Sequence, residues 1–113
     1  MNETIIIIII TLIFIALDIT TGIIKAFKEK NYTSSYMRDG LYHKCGSVIC
    51  IAFSTLIDYT QKYIDVGVSV PLTKAICVYI VLMEIGSIIE NICLINPDIM
   101  PDKLKQYFKK LTK

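Results

Sequence analysis

Residues 4–24 read TIIIIIITLIFIALDITTGII, a stretch dominated by isoleucine with a single charge at Asp18. A helix needs about 20 predominantly apolar residues to cross ~30 Å of hydrocarbon, so this stretch predicts a membrane span. Residues 75–95 are built alike, interrupted by Glu84 and Glu90. Between the two, residues 45–57 are uncharged but short, and span length is reached only by running on to Gln61 past Asp58. A carboxylate inside hydrocarbon is costly and usually faces protein or water instead of lipid. Three helices of one small chain cannot shield several such groups, which predicts a protein that works as an assembly.

The composition agrees with a membrane class. The chain of 113 residues is 54% hydrophobic, above the ~45–50% apolar content of ordinary globular domains, and its mean hydropathy is +0.58. One domain, residues 1–113, is expected from the length. Met1-Asn2-Glu3 lacks the basic start of a secretory signal and no small-residue cleavage site follows, so the first stretch is expected to be a true span. Cys45, Cys50, Cys77 and Cys93 show no CxxC or zinc-ligand spacing and lie in or beside apolar stretches, where cysteine behaves as a small hydrophobe. The lone His43 beside Lys44 is expected to be solvated or interfacial. No nucleophile–base pair, metal cluster or glycine-rich phosphate loop is visible, so neither an enzyme nor a cofactor or metal site is expected.

Charge counting decides the number of spans. No Lys or Arg precedes the first stretch. Lys25, Lys28, Lys30, Arg38 and Lys44 lie between the first and second; Lys62 and Lys74 lie between the second and third. Lys103, Lys105, Lys109, Lys110 and Lys113 follow the third. By the positive-inside rule this alternation predicts an N-terminus outside, a C-terminus inside and three spans, at about 4–26, 44–63 and 72–95. Lys44 at one end of the second span, with Tyr59 and Tyr63 at the other, is expected to anchor it at the two interfaces. The connection from 28 to 38, with Asn31, Thr33, Ser34 and Ser35, reads as a polar loop. In the tail, 96–113, Leu104, Tyr107, Phe108 and Leu111 recur with helical spacing among the lysines. This predicts a short amphipathic basic helix on the anionic cytoplasmic leaflet.

The polar residues of each span fall on one face. Thr4, Thr11, Asp18, Thr21 or Gly22, and Lys25 align in the first. Lys44, Ser47, Ser54 and Asp58 align in the second, and Glu84, Ser87 and Asn91 in the third, with Glu90 rotated aside. Two readings follow. Either Asp18 or Glu90 pairs with Lys25 or Lys44 between helices, or the acids line a water-filled pore. Gly22-x-x-x-Ala26 and Gly46-x-x-x-Cys50 have the small-residue spacing of close helix approach.

In this order the residues resemble the toxin-secretion/phage-lysis holin family of Gram-positive hosts. The resemblance runs through Leu17-Asp18-Ile19-Thr20-Thr21-Gly22, Lys25-Ala26, Ser34-Ser35, Gly40 and Lys44. It continues through Asp58, Glu84, Ser87-Ile88 and Glu90-Asn91 to Pro97 and Pro101 before the lysine-rich tail. Such proteins often carry a glycine and two closer prolines where this chain has Asn96-Pro97-Asp98-Ile99-Met100-Pro101. The resemblance implies an all-α integral membrane protein that forms homo-oligomers in the bacterial cytoplasmic membrane. It further implies a pore or lesion that releases a lytic enzyme, and so lyses the host cell, or that exports a large toxin. The partners implied are the chain itself, the bilayer, and an endolysin or secreted toxin without necessary direct contact; nucleic acid is not among them. The alternatives are a small cation channel or transporter, and a membrane anchor or assembly protein.

Overall fold

The computed structural model describes residues 2–30, 34–99 and Gln106. Three helices make up the described chain: α1 (Glu3–Glu29), α2 (Ser34–Gln61) and α3 (Leu72–Ile95). They hold 27, 28 and 24 residues, and at 1.5 Å per residue each exceeds ~30 Å of hydrocarbon. All three are long and apolar enough to cross a membrane, α2 being the least apolar.

Local chemistry sets the ends. The Asn2 side chain accepts the Thr4 N–H at 2.8 Å and opens α1. Lys30 closes it in the left-handed conformation (φ 56°), its N–H turned back to the carbonyls of Ala26 and Phe27. Serine and threonine hydroxyls within the helices, those of Thr11, Thr20, Ser54 and Thr55 among them, donate to carbonyls one turn earlier. That satisfies them without water, as hydrocarbon requires.

The ends of α3 are held by the other two helices. Pro71 precedes α3 and offers no side-chain cap. Instead the Asp58 carboxylate of α2 accepts the Leu72 N–H at 2.9 Å and the Thr73 N–H at 2.8 Å. At the far end Lys28 of α1 donates to the carbonyls of Leu94 at 2.7 Å and Ile95 at 2.9 Å. An anion at the start and a cation at the end both complement the helix dipole and take up backbone groups left without helical partners. These contacts make α1 parallel to α3 and α2 antiparallel to both. The central helix is α3, packed chiefly on α1 and less on α2, while α1 and α2 scarcely touch.

An apolar cluster of Ile15, Ile51, Cys77 and Ile80 joins the three helices. Yet the buried residues are as often polar as apolar: Thr11, Asp18, Ser54, Thr73, Glu84 and Asn91 against Ile15, Ala26, Ile51, Cys77, Ile80 and Ile88. Isoleucines, leucines and phenylalanines cover the outside, with Ile13, Ile49 and Phe53 each about three-fifths exposed or more (59%, 68% and 61%). A monomer with a half-polar interior and an apolar exterior is built for lipid surroundings.

The second helix departs from the sequence expectation. It begins at Ser34, well before residue 44, and ends at Gln61. Serines suit a helix start, and no proline interrupts 34–61, so the segment read as a polar loop is helical from Ser34 onward. Lys44 therefore stands inside the helix bundle, and not at the end of the second helix as an interfacial anchor. Residues 31–33 and the tail lysines Lys103, Lys105, Lys109, Lys110 and Lys113 lie outside the described residues.

Candidate intramembrane polar site

One side chain from each helix meets at a single level of the bundle. The Lys44 ammonium of α2 donates to both oxygens of Glu84 in α3, each at 2.7 Å, and to Oδ2 of Asp18 in α1. Side-chain exposure is 6% for Asp18, 4% for Glu84 and 16% for Lys44, so all three are largely withdrawn from the surroundings. The second carboxylate oxygen of Asp18 accepts from Asn91 Nδ2 at 3.0 Å, and the same amide donates to the Thr21 hydroxyl at 3.0 Å. Among the described residues every fully buried side-chain nitrogen and oxygen has a hydrogen-bond partner.

Helical periodicity explains who takes part. Asn91 follows Glu84 by seven residues, almost two full turns, and returns to the same face; Glu90 is rotated by about 100° from it. Accordingly Asn91 is buried with Glu84, whereas Glu90 is exposed. Of the pairings expected from the sequence, Asp18 with Lys44 forms. Glu84 as the second partner of the same lysine was not anticipated. The expectation that three helices of one chain cannot shield such acids is overturned for Asp18 and Glu84, which Lys44 pairs with inside the monomer.

The electrostatics are demanding. With all three groups ionised, two carboxylates and one ammonium leave one net negative charge. Breaking a buried pair by removing one partner typically costs about 3–5 kcal/mol, because the survivor stays buried without its counterion. Lys44 alone serves two such survivors.

The other candidate residues are arranged around this trio. A cleft of about 620 Å³ opens between α1 and the first half of α2, and Asp18, Lys44, Ser87 and Asn91 lie at its inner end. Gly22 and Lys25 line one wall and Asp39 and His43 the other. A Cβ at Gly22 would stand 3.7 Å from Asn91 Nδ2, an ordinary contact, so the packing there does not demand glycine. Lys25 is half-buried in the wall and no salt bridge joins it to Asp18. Ser54 is buried away from the trio and bonds to the Cys50 carbonyl of its own helix. Asp58 is spent on the start of α3. Sequence reasoning missed that cap and the matching role of Lys28; the signal for the latter was a lysine in the last turn of a helix. Among the described residues no group of three or more His, Cys, Asp or Glu is placed to hold a metal ion.

A family model, described as the bacteriophage holin family, matches the chain over residues 1–113. The chain belongs to that family. No curated protein and no solved structure matches it. Holin-family membership and three helices of spanning length make this a multi-pass membrane protein.

Proposed function

We propose that this chain self-associates in the bacterial cytoplasmic membrane, N-terminus outside and C-terminus inside, and opens a lesion. Through it a lytic enzyme passes to the wall, or a large toxin leaves the cell, without binding the lesion itself. The observation that carries this reading is the burial of Asp18, Glu84 and Asn91 inside a monomer whose exterior is apolar. Such a monomer is closed: its polar groups face one another and its outside suits lipid. Turned outward, the same groups would need water or a second copy, since a carboxyl near the bilayer centre costs about 2.5 kcal/mol or more on insertion scales. In this reading, assembly and pore lining are therefore one event. Asp18, Thr21, Glu84, Ser87 and Asn91 line the wet face, and the lysines of the tail rest on anionic lipid.

Inducible expression with simultaneous readout of membrane potential and of a cytoplasmic reporter enzyme tests the proposal. Depolarisation together with release of folded reporter is expected; an intact barrier to the reporter would overturn it. A second reading, a small cation channel, is favoured by the cleft whose inner end is lined by Asp18. It predicts depolarisation with the reporter retained. Orientation is tested with single cysteines in a cysteine-free chain: positions 2 and 67 should label from outside intact cells, and positions 34 and 112 should not.

A further inference from the structure

The two halves of α2 are packed differently. From residue 37 to residue 50 no side chain of α2 is buried; from there to the end of the helix Ile51 and Ser54 are. Ile51 belongs to the apolar cluster with Ile15, Cys77 and Ile80. Asp58 binds the first amides of α3, and the Thr73 hydroxyl donates to that of Thr55 at 3.2 Å. Over 37–50, by contrast, the polar bonds from described residues to the other helices run through Lys44. The cleft of about 620 Å³ separates this half from α1.

We infer that the first half of α2 is a tethered arm, pivoting near Ile51 and held against α1 and α3 by the Lys44 ammonium. The apolar effect contributes little to holding it, because none of its side chains is buried and hydrocarbon solvates leucine as well as protein does. Among the described residues of 37–50 the polar tether is electrostatic and made through Lys44. An arm of residues 37–50 is about 20 Å long at 1.5 Å per residue, so a tilt of some 20° carries its tip several ångströms. That swing widens the cleft and uncovers Asp18, Glu84 and Asn91 together. This deepens the proposed function, on which its biological use rests: Lys44 keeps the polar face shut, and its release makes that face available to a second copy or to water.

The arm is tested by distance measurements that need no permeabilisation. In the full chain with its four cysteines replaced, spin labels at positions 23 and 41 face each other across the cleft, and labels at 56 and 74 report the packed half. Pulsed electron resonance in lipid nanodiscs at one chain per disc should give narrow distributions for both pairs in the otherwise native chain. In K44M the 23–41 distribution should broaden and shift several ångströms longer while 56–74 holds. The double variant D18K/K44E, which returns one cation between two carboxylates, should restore the narrow 23–41 distance. An unchanged 23–41 distance in K44M overturns the inference. So does equal broadening of 56–74, which would mean that the bundle loosens as a whole, and so does failure of D18K/K44E to restore. Absence of protein release by the native chain would overturn the proposed function and leave the arm standing.

Discussion

Lys44 and Asp58 sit on one helix, and each reaches across to a neighbour, but they bind in opposite ways. Asp58 accepts two backbone N–H groups at the start of α3, among apolar and hydroxyl side chains that are themselves packed. Lys44 grips two side-chain carboxylates where its own stretch of helix has no buried neighbours. The first contact is one of many holding its end of the helix; among the described residues of 37–50, the second is the polar contact that reaches the other helices. The difference teaches that the same helix can be structural at one end and conditional at the other, the distinction lying in what else is buried beside each charge.

The largest effect is expected from breaking the lone contact. K44M leaves two buried carboxylates without a cation and should cost about 3–5 kcal/mol in reversible unfolding in detergent. Lysis should also start earlier. A variant as stable and as slow as the native chain would remove the distinction between the two ends. D58A should cost less, about 1–2 kcal/mol, since it removes a cap and a favourable charge at a helix start but leaves the surrounding packing. Hydrogen exchange should quicken at the amides of Leu72 and Thr73 and stay unchanged around Glu84; faster exchange at both places would show that the ends are not independent.

E84Q should be milder still in stability, within about 1 kcal/mol, because Lys44 keeps Asp18 as its counterion. Its timing of permeabilisation should nevertheless change, and so should that of D18N, whereas E90Q on the exposed face should match the native chain. Native timing in both D18N and E84Q would leave the acids as satisfied packing groups.

The smallest effect concerns the connection between α2 and α3. The Gln61 side chain and the Gly67 N–H donate to Asp65 at 3.0 and 2.9 Å, holding its carboxyl below the usual carboxylate range. A group with a lowered folded value stabilises fully above its unfolded value, about pH 4, and loses that contribution as acid titrates the folded form. The Gly67 amide resonance should therefore move only well into the acid range, while the helices stay intact. Movement near neutral pH would be the contrary result.

The run of isoleucine before Asp18 and the alternation of lysines were enough to read three spanning helices and their number. The inward faces were legible too, because Thr11 with Asp18 and Glu84 with Asn91 recur at seven residues, a spacing that any observer of helical periodicity can count. The level of one helix against another was not legible. Periodicity places Lys44 on a face but not at a height, so nothing in the chain says that it meets Asp18 and Glu84 together. The caps were hidden for the same reason: Asp58 looks like a membrane acid until α3 is seen to start beside it. The early start of α2 escaped because residues 31–38 are polar, and polarity marks exit from a membrane without marking the end of a helix.

The two caps on α3 also limit how the molecule can deform. A slide of α3 along its own axis by one residue, about 1.5 Å, would draw its first amides away from Asp58 while pushing its last carbonyls past Lys28. Both attachments would be spoiled by the same displacement, whichever direction it took. Piston-like motion of the central helix is thus braked at both ends. What remains inexpensive is angular: helices leaning or turning about a central post whose height is fixed.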